Sequence, residues 1–257
     1  MRRLNRIFAA DGKTVIIAMD HGLALDVLPE LADVGTVLSS IIRGGADAVL
    51  LSYGVAQKYG EILKGTGLIV RLDGGSTCLS NRPGGSLLYS VEDALRLGAD
   101  GVACMGFPGA ENEGETLGNL AQVAAECSYW QVPLMAEMLP GGFAPDPSNT
   151  LENIKLVSRI GAELGAHIIK TTFAGSQGEF REVVTGCFSP VVVLGGDKTN
   201  DIKGLFKTIE QALAAGAAGV AIGRNVWKSR EPERITRALV ELVHNQKKAD
   251  QALALIG

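Results

Sequence analysis

The chain has 257 residues, a formal net charge of −4 and an isoelectric point near 5.5. The acidity speaks against a nucleic-acid partner, and the length suits one large α/β barrel or two small domains. No apolar run reaches ~18 residues, so no membrane span is expected, and the basic first eight residues lack the apolar core of a signal peptide.

Strand-like apolar runs alternate with helical ones along the chain. The first strand is predicted over 15–20 and ends in Asp20-His21-Gly22. A helix over 33–43 follows, closed by Gly44-Gly45, since glycine takes the left-handed turn that ends a helix. The second strand covers 47–51 and its helix 53–63. A third strand, 68–73, enters a loop rich in Gly and Ser over 74–86. A helix over 90–97 leads to the fourth strand, 101–104. Carboxylates from Glu111 to Glu115 open the next helix, where they suit the positive end of its dipole. Strand five, 133–138, passes through Leu139-Pro140-Gly141-Gly142 into a polar loop reaching Asn149. Residues 150–164 carry Leu151, Ile154, Leu156, Val157 and Ile160 as the apolar side of a helix. Strand six carries Lys170. Strand seven, 191–194, enters Gly195-Gly196-Asp197-Lys198, and strand eight, 219–223, enters Arg224-Asn225. A short helix near 225–229 and a closing helix over 231–243 complete the pattern.

Eight strands with helices between them predict an α/β fold, a (β/α)8 TIM barrel forming a single domain over 1–257. A Gly-Ala phrase between helix and strand recurs at Gly45, Gly98, Gly165 and Gly216, as if one unit were repeated. The alternative, a doubly wound sheet, wants a Gly-rich loop after the first strand, and Asp20-His21-Gly22 is not one.

Barrel active sites lie at the C-terminal ends of the strands. Those ends carry Asp20 and His21, Arg71 and Asp73, Glu137, Lys170 and Thr172, and Asp197 and Lys198. Charge at so many strand ends is more than packing explains. Lys170 shares a strand face with Ile168 at the end of an apolar run. A lysine placed so keeps its ammonium in water, pairs it, or loses its proton and becomes a nucleophile toward carbonyls. The strand leaves open a lysine reaching out to solvent and a Schiff-base lysine. Asp20 fits an N-cap, a salt-bridge partner of Lys170 or a proton-transfer group. Gly195, Gly196, Gly223 and Arg224 occupy the loops where phosphate barrels hold phosphate on backbone N–H groups; tight turns are the plain alternative. His167 is expected in the helix layer as a satisfied core histidine, and His244 on a helix surface. Metal binding by His21 with Asp20 or Asp73 lacks a third ligand, so no metal is expected. Cys78, Cys104, Cys127 and Cys187 show no paired spacing, which predicts free thiols in a reducing cytoplasm.

Four blocks carry a resemblance. They are Met19-Asp20-His21-Gly22, Gly165-Ala166-His167-Ile168-Ile169-Lys170-Thr171, Val193-Leu194-Gly195-Gly196-Asp197-Lys198 and Gly219-Val220-Ala221-Ile222-Gly223-Arg224-Asn225-Val226-Trp227. Together they resemble the archaeal-type class I fructose-bisphosphate aldolase family, which includes the aminodideoxyheptulosonate synthases and the autoinducer-2 phosphate thiolase. The likeness runs from Arg6 to the final helix. It implies a barrel, Lys170 as the Schiff-base lysine, and Asp20 as its acid–base partner. It also implies phosphate in the Gly195-Gly196 and Gly223-Arg224 loops, no metal or other cofactor, and a homo-oligomer, the decamer included.

One departure bears on the chemistry. Aldolase members of that family carry Tyr-Pro-Arg-Gly after strand five, with the tyrosine as the proton-transfer group; here Leu139-Pro140-Gly141-Gly142 stands there. The thiolase branch lacks the tyrosine too. Glu137, on the same strand face as Leu139, is the candidate substitute, and burial above Met135 is expected to raise its pKa and let it donate a proton. Pairing with Arg71 or binding a substrate hydroxyl is the equal alternative. His21 and Arg71 join the list as substrate- or phosphate-binding candidates.

The expected function is that of a Schiff-base aldehyde-lyase, which makes or breaks a C–C bond in a small phosphorylated ketose or ketone through Lys170. Neither a nucleic acid nor a membrane is expected as partner. One alternative is acetyl transfer from a phosphorylated diketone to coenzyme A by the same lysine. Another is a non-catalytic phosphosugar-binding barrel.

Overall fold

Eight parallel strands close into a barrel in the computed structural model, which describes residues 1–23, 28–74, 77–79, 84–143 and 149–256. The strands are β1 (Thr14–Ala18), β2 (Ala48–Leu51), β3 (Gly67–Arg71) and β4 (Gly101–Gly106). They continue as β5 (Leu134–Met138), β6 (Ile168–Thr171), β7 (Val191–Leu194) and β8 (Gly219–Ile222). Each pairs with its neighbours in chain order, and β1 pairs with β8 to close the ring. The strands are rich in Val, Ile, Leu and Ala because both of their faces are covered. Ile16, Ala48, Ile69, Met135, Ile168 and Val192 fill the interior, while Val15, Val49, Val70 and Val193 face the helices.

The lower mouth of the barrel is plugged. An N-terminal 3-10 turn, Arg2–Arg6, delivers Ile7 under the interior cluster, where Leu4 and Phe8 also pack. The Thr14 hydroxyl donates to Ile7 O at 2.6 Å. The chain passes so close that a Cβ on Gly67 would lie 2.3 Å from Arg6 O. With one end filled, the interior polar groups gather at the other, at the C-terminal ends of the strands.

The outer layer is α1 (Val34–Gly44), α2 (Tyr53–Tyr59), α3 (Val91–Arg96), α4 (Glu113–Trp130), α5 (Leu151–Glu163), α6 (Gln177–Gly186) and α7 (Ile202–Ala215). The short α8 (Arg224–Trp227), α9 (Pro232–Val243) and α10 (Ala249–Leu253) follow. Asp33 caps α1 by accepting from Thr36 N, and Gly45 ends it with φ +92°. Ser90 and Ser176 form capping boxes on α3 and α6.

Three expectations are corrected. The helix predicted over 53–63 becomes 3-10 from Gly60 to Leu63, where a glycine weakens the α-helix. The third strand leaves the barrel at Arg71, and Asp73–Gly74 pairs antiparallel with Ser86–Leu87 instead. Residues 75–76 and 80–83 of the loop predicted there lie outside the described residues, as do 144–148 of the loop after strand five. His244 is not a free surface residue. Its Nδ1 lies 2.9 Å from Asp11 Oδ2 and its Nε2 2.9 Å from Asp47 Oδ2, and Asp47 also accepts Val15 N–H at 2.7 Å. His167 does sit in the helix layer, half-buried, accepting Leu134 N–H at 3.1 Å. Among the described residues no helix is long and apolar enough to cross a membrane.

The His244 staple gives a pH prediction. The hydrogen bond to Asp47 raises the His244 pKa, with burial opposing and Asp11 adding to the rise. A raised folded pKa stabilises fully below the unfolded value of about 6.5, and that stability is lost as pH climbs through the folded pKa. Denaturant midpoints are therefore expected to fall as pH rises above about 6.5, and His244→Gln is expected to flatten that fall. An unchanged slope in His244→Gln would remove the histidine from this role.

Candidate active site

On four of the eight strands the inward stripe ends in a charge at the open mouth. On β1, Ile16 and Ala18 lead to Asp20; on β3, Ile69 leads to Arg71; on β5, Met135 leads to Glu137; on β6, Ile168 leads to Lys170. The β5–β6 register places Glu137 beside Lys170. Lys170 Nζ lies 2.7 Å from Glu137 Oε1, and both side chains are buried. Lys170 is therefore neither stretched out to solvent nor paired with Asp20.

Arg71 is the hub of the charges. Its Nε donates to Asp20 Oδ2 at 2.8 Å and its Nη1 to Asp73 Oδ1 at 3.3 Å. Its Nη2 donates to Glu137 Oε2. Arg71 lies on β3 and Glu137 on β5, with Ala103 of β4 level with Arg71 between them. A methyl group there leaves the guanidinium room to cross. Asp73 is fully buried and accepts Met105 N–H at 2.7 Å.

Burial alone would raise the pKa of each carboxylate, and the neighbouring cations decide the outcome. For Asp20, Arg71, Lys170 and His21 more than offset burial and hold the pKa at about 2. For Glu137, burial is outweighed by Lys170 and Arg71, and the pKa is lowered. This corrects the expected rise: two cations touch the carboxylate that burial would have protonated. For Asp73 burial prevails over Arg71, and its pKa is raised. His21 is held low by burial against the pull of Asp20, whose Oδ1 is 3.6 Å from Nδ1.

These groups line a cavity of about 490 Å³ with Met105, Phe143, Asp197 and Arg224. Arg224 starts α8 and pairs through Nη1 with Asp197, while its Nε is buried without a hydrogen-bond partner. The chain reaches this corner only as glycine: a Cβ on Gly223 would lie 2.5 Å from Ala18 O and from His21 Cε1. Gly196 follows Gly195 with φ +63° in the loop after β7. Buried Asn225 shapes that loop, donating to Gly195 O and Asp197 O at 2.9 Å each and accepting Thr199 N–H at 2.9 Å. The indole of Trp227 donates to Ala18 O at 3.0 Å and supports His21 edge-on, with ring centroids 5.3 Å apart.

Asp20, His21, Arg71, Glu137, Lys170 and Arg224 thus meet in one cavity, with Gly195, Gly196 and Gly223 in the loops at its edge. Lys198 and Thr172 are not on the cavity wall, and Lys198 is exposed. Leu139 packs on Met105 and Phe107 in an apolar cluster and offers no proton. Sequence reasoning missed Asn225, Met105 and Phe143. Asn225 stood inside the Gly-Arg-Asn-Val-Trp phrase, but its role needs the fold of the preceding loop. Among the described residues no group of three or more His, Cys, Asp or Glu could hold a metal ion.

A profile of the DeoC/LacD family aldolases matches residues 14–229. The chain belongs to the DeoC/LacD aldolase family. Relatives of this DeoC/LacD aldolase include a 2-amino-3,7-dideoxy-D-threo-hept-6-ulosonate synthase of Halobacterium salinarum, 34% identical, with 99% of this chain and 95% of the relative aligned. A class 1 fructose-bisphosphate aldolase of Thermoproteus tenax is also 34% identical, over 96% of both chains. An archaeal fructose-1,6-bisphosphate aldolase, solved with its catalytic lysine covalently bound to a carbinolamine intermediate, superimposes with a TM-score of 0.85 at 33% identity. That alignment covers 94% of this aldolase and 98% of the solved chain.

Proposed function

We propose that this single barrel domain is a class I aldolase that makes or breaks a C–C bond in a small phosphorylated ketose or ketone through a Schiff base on Lys170. The observation that carries the reading is the buried Lys170 ammonium, 2.7 Å from Glu137 at the floor of the cavity. Glu137 takes a proton from Nζ, and the freed amine attacks the substrate carbonyl. The carbinolamine hydroxyl then leaves as water with a proton from Glu137. Asp20 is the base for the hydroxyl on the carbon being released. As that O–H bond breaks, the C–C bond breaks too, and its electrons pass into the iminium to give an enamine. The protonated Asp20 returns its proton to the enamine carbon, and water hydrolyses the iminium to regenerate Lys170. The test is borohydride trapping across a panel of phosphorylated ketoses and diketones. Turnover with aldehyde release supports the aldolase; turnover that needs coenzyme A and yields its acetyl ester favours the thiolase chemistry, which the apolar Leu139 leaves open.

Substrate phosphate is assigned to the corner formed by Gly195, Gly196, Gly223 and Arg224, with His21 beside it. The unpartnered, buried Nε–H of Arg224 supports this. Arg224→Ala is expected to weaken binding of the phosphorylated substrate by roughly 1.5–3 kcal/mol, the size of a charge-assisted hydrogen bond, and to spare the dephosphorylated analogue. Equal KM effects on both substrates would move Arg224 to another role.

A cytoplasmic, homo-oligomeric enzyme completes the proposal. Cys78, Cys104, Cys127 and Cys187 are all free thiols, as in a reducing compartment. Exposed Tyr129, Trp130, Leu156 and Phe188 offer apolar surface for subunit contact. Light scattering of the purified chain tests the oligomer, the decamer included.

A further inference from the structure

Arg71 faces the cavity, yet each of its three nitrogens already meets a carboxylate from a different part of the chain. Its side chain is only 4% exposed. A substrate anion would have to displace a buried carboxylate to reach it. The far end of the clamp is fixed: Asp73 holds Nη1 with one oxygen and the N–H of Met105 with the other. At the near end, Arg71 takes one oxygen from each of the two carboxylates that the proposed mechanism uses. Glu137 gives Oε2 to Arg71 and keeps Oε1 on Lys170 Nζ. Asp20 gives Oδ2 to Arg71 and keeps Oδ1 toward His21. The planar fork of a guanidinium can hold several carboxylates at set angles, and a lysine ammonium cannot.

We propose that Arg71, anchored by Asp73, is a positioning residue that binds one oxygen of Asp20 and one of Glu137 and leaves the other oxygen of each free for proton transfer. It does not bind the substrate phosphate. The inference rests on Lys170 as the Schiff-base lysine. Asp20 faces Arg71, Lys170 and His21; Glu137 faces Lys170, Arg71 and Asp20; Asp73 faces Arg71 and Glu137. Loss of the guanidinium therefore removes a cation from both working carboxylates and leaves Lys170 in place.

Arg71→Ala and Asp73→Asn are compared with the wild type in borohydride trapping, in KM and kcat, and in the pH dependence of kcat/KM. Arg71→Ala is expected to lower kcat by at least ~100-fold, the usual size of a lost acid–base contribution, with KM for the phosphorylated substrate changed by less than ~3-fold. Its acid limb is expected to move to higher pH, because a carboxylate without its cation protonates sooner. Added guanidinium ion is expected to restore part of the rate, which it would not do for a merely disordered barrel. A large rise in KM with kcat kept, or an acid limb that stays put, overturns the proposal. Should Arg71→Ala fail to fold, Asp73→Asn decides: it keeps the size of the side chain and loosens the anchor. Its kcat must fall while KM for the phosphorylated substrate stays within ~3-fold, and an unchanged kcat overturns the proposal. Failure of the underlying reading looks different, since wild-type enzyme would then trap no adduct at Lys170.

Discussion

Lys170→Ala is expected to lose both turnover and covalent trapping. Borohydride added with a carbonyl substrate should leave the wild type with an adduct on the peptide that contains Lys170, and the alanine variant with none. The reason is placement. Lys170 is the lysine on the wall of the cavity among the described residues, whereas Lys198 is exposed and away from it. The fold should survive the change. Removing one partner of a buried ion pair is costly when the other is stranded, but Glu137 keeps Arg71. Lys170→Arg should not rescue, because a guanidinium stays protonated and cannot attack a carbonyl. Peptide mapping checks this directly: an adduct on Lys198, or unimpaired activity in Lys170→Ala, would end the Schiff-base assignment.

Glu137→Gln should slow formation of the Schiff base by ~100-fold or more, the usual size of a lost acid–base group. The carboxylate oxygen 2.7 Å from Nζ is the nearest acceptor for the ammonium proton, and an amide cannot take it. Glu137 starts ionised, because Lys170 and Arg71 outweigh burial and lower its pKa. In the proposed mechanism its role therefore begins with accepting a proton, and only then with giving one back. The sign for activity follows: a base with a depressed pKa keeps working as pH falls, down to below the usual carboxylate range of about 4. Rapid-quench trapping separates the possibilities. If the adduct forms at the wild-type rate while turnover lags, Glu137 acts after the iminium. If only KM changes, Glu137 binds a substrate hydroxyl and the proton-transfer role falls.

Much of this protein could be read in the chain. The alternation of apolar strands and helices, with glycine after helix after helix, announces the barrel because both signals are local. A strand covered on both faces must be apolar along its length, and a helix that turns back needs a left-handed residue. The rule that barrel sites sit at strand ends then picked out Asp20, Arg71, Glu137 and Lys170 without any coordinates. The boundaries at Gly60 and Arg71 were less legible, since a glycine inside a helix and the exit of a strand depend on what packs around them.

Which charge meets which was decided by barrel closure. Lys170 pairs with Glu137, not Asp20, because β5 and β6 are neighbours in register while Asp20 lies at the end of β1. Arg71 reaches Glu137 across β4, where Ala103 is level with Arg71 and Met105 with Glu137, a relation of three strands that no local spacing reveals. The sign of the Glu137 shift turned on the same point. Burial is an average property that a strand pattern predicts, but a pKa follows the sum of burial and the charges in contact. The sequence by itself determined the fold and the list of charged residues at the strand ends. The tertiary structure alone assigned their partners, and with them the protonation state from which the chemistry starts.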